Sequence, residues 1–195
     1  MKNALIVFVR KPEWGKVKTR LAATVGNDVA LDIYKELLQH TFNIVKSTPV
    51  TKFIYYVNKI EKDDLWNAEG FVKRLQSDTD LGSKMKDAFS EVLNEGYKKA
   101  VIIGSDCMDL TTAIIVQAFD LLETKDTVIG PAKDGGYYLL GMKYLSSFIF
   151  KDKNWSTSSV YNDTVIDMEA NGISFGVLPL LNDVDTEDDW LSSKK

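Results

Sequence analysis

Seven short apolar or β-branched segments recur along this chain, at 4–9, 53–57, 71–75, 100–104, 127–130, 137–141 and 175–178, and most are separated by stretches of helical spacing. Ala30, Ile33, Tyr34, Leu37, Leu38, Ile44 and Val45 follow a 3.6-residue period after a capping residue at Asn27 or Asp28. Met85, Ala88, Phe89, Val92 and Leu93 do the same after a cap near Ser83, as do Ile114, Ile115, Ala118, Phe119, Leu121 and Leu122 after Thr111. A further helix is expected from about 158 to 170, and Thr186 with Asp189 gives a capping signal for a short terminal one. Strands that alternate with helices predict an α/β fold, a three-layer α/β/α sandwich with ligands at the carboxyl ends of its strands. The close Asp134-Gly135-Gly136 link between two strands permits an antiparallel pair, so the expected sheet is mixed and mostly parallel.

The chain has 195 residues, enough for one core, and a single domain over 1–195 is expected. No apolar run nears the roughly 20 residues needed to cross a bilayer, and no secretory signal is visible, so a cytoplasmic protein without membrane insertion is expected. A single cysteine, Cys107, and a single histidine, His40, cannot assemble a zinc site of ordinary Cys/His composition. A bound metal would have to be oxygen-ligated. A net charge of −4, with basic residues gathered in one loop, points to a small anion and away from nucleic acid.

That loop follows the first strand: Arg10, Lys11, Lys16, Lys18 and Arg20 stand against one acid, Glu13. Gly15 allows close backbone approach, Lys16 and Lys18 add point charges, Thr19 lies between the last two cations, and the Arg20 fork can grip two phosphate oxygens. Each lysine alone reads as a solvated surface residue; the cluster reads as a phosphate seat. Neither a Walker loop nor the Rossmann glycine fingerprint fits its spacing.

Asp106 directly follows the buried strand at 100–104 and is placed to hold a divalent cation against ligand phosphates. Asp109 reads as part of the next helix start. Near the chain end, Asp183 and Asp185 flank Val184, which sends both carboxylates to one face if the segment is extended. Asp185 beside Asp106 would complete a Mg2+ or Mn2+ site opposite the basic loop.

Asp134 reads equally as an Asp-Gly hairpin residue or as a catalytic group, with Gly135, Gly136 and Tyr137 beside it as substrate-binding candidates. Trp155, Ser156 and Thr157 offer stacking and hydroxyls, or else a buried aromatic ahead of a helix cap. Gln76 can read a nucleobase edge or lie on the surface. His40 reads as structural, and Cys107 has no histidine partner that would make it a nucleophile.

Taken jointly, 8–21, Asp80-Leu81-Gly82-Ser83-Lys84-Met85, Ile103-Gly104-Ser105-Asp106-Cys107, 130–138 and Trp155-Ser156-Thr157 resemble a glycosyltransferase family first catalogued as a domain of unknown function, nucleotide-diphospho-sugar transferase-like. The resemblance implies the GT-A type fold, phosphate binding by the first loop and metal binding by Asp106. Lys18-Thr19-Arg20-Leu21 is also similar to phospholactate guanylyltransferases, and related folds serve molybdenum-cofactor guanylyltransferases. Met108 departs from the pattern: it stands where proline is expected, and, being no aspartate, it leaves Asp106 without an Asp-x-Asp motif. The expected activity is metal-dependent glycosyl transfer from a nucleotide sugar to a small acceptor, with nucleotidyl transfer and non-catalytic nucleotide binding as alternatives. In either transfer Lys18, Arg20 and Asp134 would act on the reacting groups. A homo-oligomer is compatible with the sequence.

Overall fold

The computed structural model describes residues 2–67 and 69–194. Its strands are β1 Asn3–Val9, β2 Thr51–Tyr56, β3 Phe71–Leu75, β4 Lys99–Ile103, β5 Thr127–Pro131, β6 Tyr137–Met142 and β7 Phe175–Val177. The helices are α1 Thr19–Val25, α2 Asn27–Ser47, α3 Leu81–Asn94, α4 Thr112–Thr124, α5 Val160–Ala170 and α6 Glu187–Ser192, with a 3-10 turn at Ser147–Phe150. One sheet of order β3-β2-β1-β4-β6-β5-β7 contains them all. Only β6 runs against the rest, pairing antiparallel with both β4 and β5.

Alternation along the central strands sorts side chains to two faces. Leu5, Val7, Ile54, Val101, Ile103 and Val128 pack beneath α2 and α4, against Tyr34, Leu38, Ile115 and Leu122. Ala4, Ile6, Phe53, Ile102, Ile129 and Leu140 pack beneath α3 and α5, against Phe89, Val92 and Met168. A strand buried on both faces needs an unbroken apolar run, which is what β1 and β4 carry. The mixed, mostly parallel three-layer sandwich expected from the sequence is the fold observed.

Three local expectations change. Helix α2 takes Gly26 as its N-cap with no side-chain cap, and Asn27 and Asp28, the expected caps, already lie in its first turn. The cationic loop ends sooner than expected, because Thr19 and Arg20 already form the first turn of α1; buried Leu21 joins Ile33, Leu37 and Val184 in a small cluster that rewards the helical turn. The cap of α3 is Asp80, whose carboxylate accepts from the Gly82 and Ser83 amides at 2.9 and 3.2 Å. A carboxylate satisfies those orphan donors better than the Ser83 hydroxyl and also favours the positive helix end.

The antiparallel strand brings a wall to the carboxyl edge of the sheet. The turn between β5 and β6 is closed by Ala132 N to Gly136 O and Gly135 N to Ala132 O, both 3.0 Å. Gly135 has φ 89, and a methyl there would collide with the Ser158 carbonyl. Its own carbonyl accepts from Tyr161 N at 2.9 Å, so this turn and the segment before α5 are one unit. Gly135→Ala should therefore cost about 1–3 kcal/mol of stability in urea unfolding. Gly172→Ala, also at positive φ but with open space around it, should cost less.

Candidate active site

The first strand delivers its exit loop to the carboxyl edge, and the Tyr34 hydroxyl on α2 holds the turn there. It accepts from the Arg10 amide at 3.1 Å and donates to the Arg10 carbonyl at 3.2 Å. Gly15 at φ 71 and Lys18 at φ 46, ψ 47 then turn the chain into α1. A non-glycine residue in the left-handed region carries strain. At Lys18 that geometry accompanies a side chain only 7% exposed, its ammonium 2.9 Å from Asp106 Oδ2 and 3.0 Å from Asp185 Oδ1. Arg20 adds a 2.6 Å contact to Asp185 Oδ2.

Two connections bring the chain end to the central strand. Val184 is fully buried among Leu21, Ile33 and Leu37, and its amide donates to the Asp106 carbonyl at 2.9 Å. The Cys107 thiol reaches the Asn182 carbonyl at 3.6 Å. Asp183 and Asp185 flank the buried valine and both face the cleft. A capping box between Thr186 and Asp189 then starts α6 and fixes where Asp185 leaves the extended segment.

The result is a cleft of about 730 Å³. From the loop and α1 it takes Arg10, Lys16, Lys18, Thr19 and Arg20; from the other strand ends it takes Gln76, Asp106, Asp134, Gly136 and Tyr137; and Trp155, Ser156, Thr157 and Asp185 close it. Two sequence candidates serve from outside the lining: Gly15 forms the loop turn and Gly135 the hairpin turn. The five cations also divide. Lys16 pairs with Glu13 at 2.8 Å, and Lys11 pairs with Glu13 and Glu61 away from the cleft. Arg10 has no ion pair among the described residues.

The remaining walls are fixed by packing. Asp134 Oδ1 accepts from Gly136 N at 2.8 Å, so the residue closes the hairpin turn and lines the cleft at once. Trp155 lies on α3 at Gly82, where any Cβ would strike its indole. The Gln76 amide donates to the Tyr55 carbonyl at 3.0 Å, leaving its oxygen as the unspent acceptor. The Thr157 hydroxyl donates to the Asn154 carbonyl at 2.7 Å. His40 Nε2 lies 2.9 Å from the Leu110 carbonyl, outside the cleft.

A family model for uncharacterized proteins conserved in bacteria, DUF2064, matches residues 22–157. The chain belongs to the DUF2064 family. No curated protein matches it. Among solved structures, a provisionally assigned nucleotide-diphospho-sugar transferase from Desulfovibrio desulfuricans G20 is 34% identical to this DUF2064 chain, with 95% of this chain and 84% of that one covered at a TM-score of 0.89. Rv0371c of Mycobacterium tuberculosis H37Rv, solved with manganese, is 11% identical with a TM-score of 0.60 over 99% and 98% of the two chains. The inositol-1-phosphate CTP transferase of T. maritima is 13% identical, with a TM-score of 0.56 over 97% and 91%. The latter two share the fold.

Electrostatics single out a group that the sequence reading left outside its metal pair. Burial pushes the Asp183 carboxyl up to about 7, and the neighbouring carboxylates of Asp106 and Asp134 add to the shift. Its Oδ1 is buried without a hydrogen-bond partner. Burial opposes the charge on Lys18, yet Asp106 and Asp185 outweigh it and raise its pKa. Burial pushes the Cys107 thiol up, which suits its packing role in this DUF2064 protein. Asp183 was visible as a neighbour of Asp185; its solvation depends on contacts that only folding creates.

The raised Asp183 pKa has a definite sign in stability. The folded chain keeps this proton after the unfolded chain has lost it, so stability falls as pH rises from about 4 to about 7. Asp183→Asn should raise the melting temperature at pH 8, and the gain should shrink steadily on acidification toward pH 4, read by calorimetry in matched buffers.

Proposed function

We propose that this protein is a metal-assisted transferase that uses a nucleotide-diphospho-sugar donor and moves the sugar to a small acceptor. The observation that carries the reading is the meeting of Lys18, Arg20, Asp106 and Asp185 at the carboxyl edge of the sheet. Cations beside paired carboxylates suit a diphosphate that must be both bound and released. The 34% identical relative named for this donor class supports the same assignment.

The donor set suits a hard divalent cation. Asp106 and Asp185 offer carboxylate oxygens, and the unpartnered Asp183 Oδ1 offers another beside them. Mg2+ or Mn2+ held by Asp106 and Asp185, when bound, would neutralise charge on the departing phosphates. Lys18 and Arg20 would hold the same phosphates from the loop side. Gln76 would meet the nucleobase through its free amide oxygen, while Trp155, Tyr137 and the backbone at Gly136 would seat the acceptor and exclude water. Asp134 would take the acceptor hydroxyl's proton as its oxygen attacks the anomeric carbon and the nucleoside diphosphate leaves.

Nucleotidyl transfer is the second reading, and the carboxylate pattern favours it. With Met108 two residues after Asp106, the two proposed metal ligands come from separate loops. In that chemistry an acceptor phosphate attacks the α-phosphorus of a nucleoside triphosphate, and pyrophosphate leaves beside Lys18 and Arg20. A thermal-shift screen of nucleoside triphosphates against nucleotide sugars with Mn2+ separates the readings. Sugar nucleotides should stabilise the protein most, and the turnover product should be a nucleoside diphosphate; pyrophosphate as product would establish the second reading.

Asp106→Asn and Asp185→Asn should each abolish Mn2+-dependent donor binding in calorimetry while changing the melting temperature little. Alanine at Lys18 or Arg20 should weaken diphosphates more than nucleosides. Asp134→Asn should lower kcat by about 100-fold or more with donor affinity unchanged.

A further inference from the structure

Lys18 stands where the proposed cation would sit. Its ammonium touches one oxygen of each proposed metal ligand, Asp106 and Asp185, and its side chain is 93% shielded from solvent. Among the described residues no three His, Cys, Asp or Glu side chains close into a ready metal shell. An ammonium in contact with both carboxylates occupies the place between them that a divalent ion would take. The strained backbone at φ 46 and ψ 47 falls on this same residue, the N-cap of α1.

We propose that Lys18 is the resident cation of the free protein and hands the Asp106–Asp185 pair to the divalent metal only when the donor's phosphates arrive to receive its charge. This rests on the metal and phosphate roles proposed above and adds their order. Metal alone must displace an ammonium from both of its carboxylate contacts, an unfavourable exchange for a buried charge. Metal arriving with a diphosphate gives that ammonium a new anion within reach of its flexible stem. The two ligands therefore bind with positive coupling, and each strengthens the other by the same factor. Arg20 cannot substitute as the resident charge: it reaches only Asp185, and its side chain is 74% exposed.

The test measures Mn2+ binding alone, through the electron paramagnetic resonance of free Mn2+, with no donor and no turnover. The full chain is compared with Lys18→Met and Lys18→Gln, each paired with Asp106→Asn in the same chain. Removing the ammonium should tighten Mn2+ binding by about ten-fold or more, and Asp106→Asn should cancel that gain. The glutamine variant keeps a polar end in the cleft, so that one substitution's failure to fold leaves the other to decide; circular dichroism and melting identify the folded variants. Unchanged or weaker Mn2+ binding in a folded Lys18 variant, with Asp106→Asn still removing the site, would overturn the resident-cation role alone. Mn2+ binding indifferent to both Asp106→Asn and Asp185→Asn would instead overturn the metal assignment on which it stands.

Discussion

Four aspartates share one cleft, and that crowding has to be compensated before any ligand arrives. The Lys18 ammonium does this from a nearly solvent-free position between Asp106 and Asp185. A buried ion pair survives only when Coulomb attraction and hydrogen bonding offset the lost hydration of both partners. Here one ammonium meets two carboxylates at hydrogen-bond distance, and Arg20 reinforces the second from outside. Lys18 also attracts Asp183, but burial and the neighbouring carboxylates outweigh it and push that carboxyl up to about 7. Loop, helix start and chain end meet at this distribution of charge.

Delivery of the aspartates is a matter of backbone and packing. Asp106 needs only the end of β4. Asp185 needs a tail that returns across the molecule, and the tail is anchored by a buried valine and one amide-to-carbonyl bond to Asp106 itself. Thus the two carboxylates are held in mutual register by the segments that bear them. The fold that carries these segments is shared with the D. desulfuricans structure over 95% of the chain.

Much of this was legible in the sequence because the governing signals are local. The unbroken apolar runs of β1 and β4, the Asp-Gly-Gly turn, the Thr111 cap and the Thr186–Asp189 capping box each depend on neighbours a few residues away. The convergence of loop and tail was inferred from charge, from strand-end placement and from the alternation of Asp183 and Asp185, and these residues line a single cleft. What escaped depends on distant partners. Helix α1 begins at Thr19 because Leu21 meets Leu37 and Val184, and no local period announces seven residues. Asp80 outcompetes Ser83 as a cap through geometry settled on folding. Lys11 is drawn off by Glu13 and Glu61, and Lys16, though it lines the cleft, is paired with Glu13, so the cation count of the loop overstated the charge free to meet a ligand.

The sides of the cleft differ in how they are built. Its floor is sheet, strand ends whose displacement would disturb two apolar layers. One flank, from 152 to 158, contributes no strand and contains two non-glycine residues at positive φ, Asp152 and Ser156. It is moored where the Trp155 indole meets Gly82 and where Ser158 meets Gly135. Between those moorings, side chains can vary without touching the hydrophobic interior. A lineage keeping this floor while revising that flank would keep the charged strand ends and change what else the cleft admits, a physical route to diverse chemistry on one scaffold.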